Sequence, residues 1–225
     1  MNYRNTRSSY LNCEKHIFEG DGRYEVPSLE PFDMDISKDL PPFIGFNYAK
    51  TEKNPEDKIV HFYLDDYQFL RVWYNPDMYL SVLQRFKAVL SPDFSTYSDF
   101  PKAVQIFNHY RKQWLGAYWQ YYGIDVIPTI GWSTPDSYEF CFDGIPRDSL
   151  ICISTVGIYA NKEWRYSFLD GYHKALDVLT PKKIIFYGKL YPEIDVPSGI
   201  EYAVAVNQNM KTLSEIRDSR KGKKD

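Results

Sequence analysis

The sequence is short of the residues that most often carry chemistry outright. It has three cysteines, Cys13, Cys141 and Cys152, and none forms a C-x-x-C pair. An odd count without such a pair predicts free thiols in a reducing compartment and excludes a disulfide framework. Cys13 and His16 form a C-x-x-H with no second pair nearby to complete a zinc site. Cys152 falls inside an apolar run, where a buried, inert thiol is the ordinary outcome. The four histidines are His16, His61, His109 and His173. None falls at a predicted strand end, and His109 and His173 lie on helices with their side chains expected outside. That disfavours a histidine triad or a zinc centre. The chain has no phosphate-binding loop of the G-x-x-x-x-G-K kind and no G-x-G-x-x-G. No G-x-S-x-G surrounds Ser154, so a hydrolase elbow is not indicated. No run approaches the ~20 apolar residues of a membrane span. Residues 1–12 are polar and lack the apolar stretch of a leader segment, so the expected location is cytoplasmic.

What is present is an aromatic-rich chain of 225 residues, 17% aromatic with 20 Tyr, and a net charge of −3. The length suits one α/β domain with a sizeable core. So many tyrosines suit an aromatic core and a half-buried surface, and also a polar-lined site. The charge is uneven: residues 217–225 hold five Lys/Arg against two Asp, a local +3, leaving −6 for the rest. Such a tail can hold phosphate loosely, or can be no more than a solvated end. The composition divides the chain into an extended arm over 1–58, an α/β core over 59–207 and a polar basic tail over 208–225. Within the arm, residues 13–50 are rich in Pro, Asp and Gly. They predict a segment that packs along the core or covers a site as a lid.

The core is punctuated by short apolar runs that end on polar or turn-forming residues. They are HFYLDDY (61–67), AVLSPDFS (88–95), DVIPTIGWS (125–133), LICISTVG (150–157), KIIFYGK (183–189) and IEYAVAVN (200–207). Helical patterns separate most of them. The first, over 75–86, has Asn75 as a cap and Pro76 at the first position. A longer one spans 99–122, with Ile106, Tyr110, Trp114 and Tyr118 at helical spacing and Gly123 as its stop. A third covers 162–179. Pro128 predicts a bend inside the third strand. This rhythm predicts parallel βα units in a partial or distorted TIM-like barrel, or an open parallel sheet with helices on both faces.

In either architecture ligands bind outside the carboxyl ends of the strands. The residues there are therefore the candidates. Asp93, in SPDFS, is a base, nucleophile or metal ligand, although an Asp after Pro also forms turns with its own backbone. Asp65 and Asp66 face opposite sides of an extended strand, and Asp66 is the one expected to join Asp93 in a two-carboxylate site. Such a pair suits acid–base work, or a divalent metal such as Mg²⁺ or Mn²⁺, but no third carboxylate or His is predicted nearby. No cofactor is otherwise implied. Trp132 offers a stacking face for a base or sugar, or a plug for the end of the fold, and Ser133 follows it. Ser154 and Thr155 supply hydroxyls to a polar ligand. Tyr187 and Lys189 flank Gly188, where the backbone can approach closely, and Asn207 ends the last run. The 99–122 helix mixes His109, Arg111, Lys112 and Gln113 with Tyr110, Trp114 and Trp119. That mixture can bind single-stranded nucleic acid, but its ordinary reading is an amphipathic helix with its aromatic face on the sheet.

Five stretches resemble the DUF4417 family of bacterial and phage proteins. They are VLSPDFSTYSDFP (89–101), NHYRKQWLGAYWQYYGIDVIPTIGW (108–132), FCFDGIPRDS (140–149), ISTVG (153–157) and LTPKKIIFYGK (179–189). The resemblance covers roughly residues 60–190. It implies a phage or mobile-element setting and brings no catalytic residues with it. A looser likeness, to barrel enzymes that exchange nucleobases such as queuine tRNA-ribosyltransferases, is one of fold only, since their zinc ligands are absent. Three functions follow as expectations. The first is an enzyme acting on a nucleobase, nucleoside or sugar-like ligand at the strand ends. The second is a nucleic-acid-binding module using residues 217–225 and the 99–122 helix. The third is a module that binds and inhibits a host protein through exposed Tyr and Trp.

Overall fold

The computed structural model describes residues 11–206 except 159. A two-residue antiparallel pair, β1 (Gly20–Asp21) with β2 (Val26–Pro27), opens it. Two four-stranded sheets follow. The first contains β3 (Phe43–Gly45), β4 (Ile59–His61), β5 (Ala88–Leu90) and β6 (Val126–Ile127), in that order. The second contains β7 (Thr129–Ile130), β8 (Leu150–Ser154), β9 (Lys183–Tyr187) and β10 (Glu201–Ala205). Every pairing within these two sheets is parallel. The helices are α1 (Phe46–Ala49), α2 (Arg71–Tyr74), α3 (Pro76–Leu83), α4 (Lys102–Tyr121) and α5 (Lys162–Leu179). Among the described residues no helix is long and apolar enough to cross a membrane.

The two sheets meet at Pro128. Proline has no N–H to give a ladder, so the strand breaks there into β6 and β7. On one side Ser91 N donates to the Ile127 carbonyl (3.0 Å). On the other, Cys152 N donates to the Pro128 carbonyl (2.8 Å). Ser91 and Thr129 mend the break: Thr129 N donates to Ser91 Oγ (2.8 Å) and Thr129 Oγ1 donates to the Ser91 carbonyl (2.9 Å). Both residues are buried, so these bonds satisfy groups that would otherwise be desolvated without partners.

Alternation along the strands sorts the side chains into two faces. Val60 and Phe62, with Val89 and Val126, pack with Phe69, Trp73, Trp114 and Trp119 in a cluster shared with α2 and α4. Ile151, Ile153, Ile184 and Phe186 pack with Phe168, Tyr172, Ala175 and Leu179 of α5. The opposite face contributes Phe43, Ile59, Ala88, Leu90, Ile127, Cys152, Ile185, Tyr187 and Ala205 to a third cluster, joined by Ile36 from the arm. At full burial each large apolar side chain here contributes about 1.5–3 kcal/mol.

The expected helices form. Pro76 opens α3, but Asn75 makes no side-chain cap. Pro101 occupies the N-cap position of α4 with no side-chain cap, and Gly123 stops the helix at φ +76°. Helix α5 has the expected bounds, with an Asn161 side-chain cap and left-handed Thr180 at its end. The closed barrel does not form: among the described residues no ladder joins β3 to β10, and the open-sheet alternative fits. Leu40–Phe43 and Val204–Val206 instead line a cavity of about 220 Å³ between those two strands. Strand β3 was expected only as an extended piece of the arm, and it extends the first sheet by a strand.

Where α5 crosses the second sheet, Gly171 lies against the Trp132 indole. A Cβ at Gly171 would stand 2.1 Å from Trp132 Nε1. Helix propensity alone favours Gly171→Ala by about 1 kcal/mol, whereas overpacking costs about 1–3 kcal/mol. The expected outcome is a net loss, read as a lower thermal unfolding midpoint. A higher midpoint would mean that the indole does not occupy this position.

Candidate site at the strand carboxyl ends

The loop after β5 carries Asp93 over the carboxyl ends of the strands. It stands beside Gly131, just past β7, where an added Cβ would lie 3.6 Å from Asp93 Oδ1. Tyr63 and Cys152 are close enough to feel its charge. Burial raises the Asp93 carboxyl to about 6; Asp66 adds to the rise and Lys112 opposes it. Its carboxylate accepts no hydrogen bond from the described residues, yet it is not sealed from solvent.

Asp66, expected as the catalytic partner, is near enough for its charge to act on Asp93 and is hydrogen-bonded to Ser95. Its oxygens accept from Ser95 N (3.2 Å) and Ser95 Oγ (2.8 Å). Asn108 Nδ2 donates to the Ser95 carbonyl (2.6 Å). Arg111, hydrogen-bonded to Asn108, lies over the Phe94 ring, 4.0 Å from its centroid. This network fixes residues 93–95 and so aims Asp93.

Lys112, on α4, is near enough for its charge and that of Asp93 to act on each other. It is only 4% exposed. Burial pushes its pKa below the usual lysine value, and the charge of Asp93 pulls it back up. Of the two readings of this helix, the one with its aromatic face on the sheet fits: Trp114 and Trp119 are buried, and so are His109, Lys112 and Gln113. A signal was present. Gln105, Asn108, His109, Lys112 and Gln113 recur at i, i+3, i+4, i+7 and i+8, the spacing of a buried helical face. All five are buried. His109, expected outside, is within 2.9 Å of the Asp143 carbonyl through Nε2, and burial lowers its pKa to about 3.

His61 also departs from expectation. It is the last residue of β4, a strand end, because the strand expected over 59–67 starts at Ile59 but stops at His61, and Asp66 opens a 3-10 turn instead of closing the strand. Its Nε2 is hydrogen-bonded to the Tyr187 hydroxyl (3.2 Å), its ring stacks on Tyr63, and burial lowers its pKa to about 4. Tyr63 and Tyr187 stack with centroids 4.6 Å apart, and the Tyr63 hydroxyl donates to Cys152 Sγ (3.3 Å). Burial raises the Cys152 thiol to about 12, which leaves it protonated and unreactive at neutral pH.

The remaining candidates stand elsewhere. Trp132 follows Gly131 and points to the opposite face, where Nε1 donates to the Ser167 carbonyl (3.0 Å) and the ring packs on Phe168. Ser133 Oγ is buried without a partner. Ser154 Oγ accepts from Val156 N (3.3 Å). Thr155 is buried and its hydroxyl donates to the Lys189 carbonyl (2.8 Å), a structural tie between β8 and the end of β9. The Lys189 ammonium is exposed and lies over Tyr191. Asn207 and residues 208–225, with the basic tail, lie outside the described residues. Among the described residues no group of three or more His, Cys, Asp or Glu is placed to hold a metal ion.

Fold and site together define an α/β protein of parallel sheets with a carboxylate, a buried lysine and tyrosines gathered at the strand carboxyl ends. The chain belongs to the family described as "Domain of unknown function (DUF4417)", whose profile matches residues 18–203. It is 37% identical over 211 residues to the "Gene 1 protein" of Mycobacterium phage L5, covering 92% of this chain and 89% of that one. It is 40% identical over 202 residues to the "Gene 1 protein" of Mycobacterium phage D29, covering 88% and 73%. No solved structure matches.

The raised pKa of Asp93 has a stability consequence. Its folded value, about 6, lies above the ~3.9 of an unfolded chain. The folded state therefore holds the proton more tightly, and stability falls as pH rises between those values. Asp93→Asn is expected to stabilise the protein at pH 7.5 by about 1–3 kcal/mol and to leave it unchanged below pH ~4. Denaturant unfolding at both pH values checks this, and a variant less stable at pH 7.5 would make Asp93 a turn residue.

Proposed function

We propose that this chain is an enzyme of phage type acting on a nucleobase, nucleoside or sugar-like ligand at the strand carboxyl ends. The observation that supports it is the Asp93 carboxylate, unbonded among the described residues, held by the Asp66–Ser95 contacts and subject to the charge of the buried Lys112. Unsatisfied, partly desolvated charges cost stability and are retained where a ligand uses them. Asp93 is the general base, poised by its pKa near neutrality. Lys112 stabilises negative charge that develops on the ligand. Tyr63 forms an aromatic wall. Asp66 positions Asp93 and does not touch the ligand. In the same reading the two sheets form an incomplete barrel: inner residues from β3 to β10 share one cluster, and those two strands flank one cavity.

A second reading has support at the surface. Tyr48, Tyr67, Tyr74, Met78, Tyr97 and Trp164 are exposed, and large exposed side chains of this kind serve as anchors for a protein partner. A host-protein inhibitor would use them and leave the strand-end site idle. Nucleic-acid binding through residues 217–225 is a further alternative; losing salt-dependent affinity when that segment is deleted would support it.

The decisive experiment incubates the protein with nucleosides, nucleotides and sugars and follows products by mass spectrometry. The expected result is a product whose rate of formation rises through about pH 6 and falls at least ~100-fold in Asp93→Asn. Equal rates in parent and variant would remove Asp93 from the mechanism. Ligand binding without any product would reduce the mouth to a binding site.

A further inference from the structure

Asp21 on β1 and Asp143 in the turn before β8 are a second pair of carboxylates, with no part in the strand-end chemistry proposed above. The hairpin of β1 and β2 sits on that turn. Asp21 Oδ2 accepts from Gly144 N (3.0 Å), and Leu29 N donates to the Gly144 carbonyl (2.9 Å). The Tyr24 hydroxyl donates to Glu139 Oε1 (2.8 Å), and its ring packs edge-on against Phe140. Two glycines let the surfaces meet. A Cβ at Gly22 would overlap the Asp143 carboxylate, and one at Gly144 would overlap the Pro27 carbonyl. The Asp143 carboxylate therefore lies against the hairpin backbone at Gly22, whose N donates to Asp21 Oδ1 (2.9 Å). Asp143 Oδ2 is buried there and has no partner among the described residues.

A buried carboxylate oxygen without a donor is costly, and a second carboxylate on the same backbone turn adds repulsion. The groups packed around Asp143 do not offset this. From α4, His109 and Gln113 reach only its carbonyl (2.9 and 3.4 Å), and burial keeps His109 neutral. From its own turn, burial keeps the Cys141 thiol protonated, and Glu139 is paired with Lys102. From the hairpin, Arg23 lies over Tyr24. A proton on Asp143 removes the repulsion and turns an acceptor without a partner into a donor beside the hairpin's own carboxylate. Burial and the charge of Asp21 accordingly raise the Asp143 carboxyl to about 6. We infer that Asp143 and Asp21 form a proton-operated clasp, which holds the β1–β2 hairpin on the turn before β8 when Asp143 is protonated and loosens when it ionises. Loosening uncovers α4, because Leu29 packs on Gly116 and the Pro27 carbonyl lies beside Gln113.

The closed hairpin holds the proton more tightly than an open one, whose Asp143 titrates near ~3.9. Closure is therefore favoured as pH falls through about 6, and the ratio of closed to open hairpin should be about tenfold higher at pH 5 than at pH 7.5. The test is amide hydrogen exchange on the full chain, read by NMR at Gly144 and Leu29, whose N–H groups cross the clasp. After correction for the intrinsic pH dependence of exchange, both amides should be about tenfold better protected at pH 5. In Asp143→Asn that difference should vanish. In Asp93→Asn it should remain, which separates the clasp from the strand-end carboxylate. Asp21→Asn keeps an oxygen for Gly144 N but loses the charge, so the difference should shrink. The comparison of the two pH values is made on the parent protein and stands even where a variant does not fold. Equal protection at both overturns the inference. So does a difference that survives in Asp143→Asn or disappears in Asp93→Asn.

Discussion

The missing N–H of Pro128 is the constraint on which the arrangement turns. One residue without a donor divides a strand, so β5 bonds its first half and β8 its second. The sheets can change direction there because no ladder holds them flat. A break of this kind would leave polar groups unpaired in the core. Ser91 and Thr129 prevent that with three short contacts among two side chains and two backbone groups. The repair has a spatial consequence. Ser91 follows β5 and Gly131 follows β7, and Asp93, two residues beyond Ser91, comes to rest beside Gly131. The bend that shapes the fold is also what delivers the carboxylate.

The rest of the site depends on an unusual helix. Most helices that pack on a sheet present apolar residues to it, and the carboxyl-terminal half of α4 does so with Trp114, Tyr118 and Trp119. Its earlier half presents Gln105, Asn108, His109 and Lys112 instead. Three of these have found backbone acceptors: Gln105 bonds the Phe100 carbonyl, Asn108 the Ser95 carbonyl and His109 the Asp143 carbonyl. Lys112 has none. A polar stripe in which one member lacks a protein partner fits a face organised around something that arrives from outside.

Much of the fold was legible because strands and helices carry their period on the surface of the text. KIIFYGK and LICISTVG are apolar runs with clear ends, and α5 shows both its cap and its stop. The misses have physical causes. Pro41 and Pro42 disguise β3, since prolines beside a three-residue edge strand read as a bend. The strand expected over 59–67 ends early, at His61, because only Ile59–His61 pair with β3 and β5, and the aromatic run beyond them leaves the ladder. The site was half legible. Asp93 stands out beside Pro92 at a strand end. Trp132 misled because alternation places it opposite Gly131, and only the pairing register reveals which of the two faces the mouth. Lys112 was hidden by the assumption that basic residues on a helix face water.

The seam between β3 and β10 matters for how the molecule comes into being. Phe43 and His61, among the first core residues to leave the ribosome, complete their packing on Tyr187, which follows His61 by 126 residues. Ala205 joins the same cluster from the last strand. The nascent chain therefore carries an unfinished interior until nearly the whole core has been synthesised, and a contact spanning that distance is slow to form. During that interval the bare edges of β3 and β4 are exposed to the crowd around the ribosome. A strand as short as β3, with prolines just before it, makes a poor template for a stray partner. The prolines that obscure this strand in the sequence thus guard it while its far neighbour is still being made.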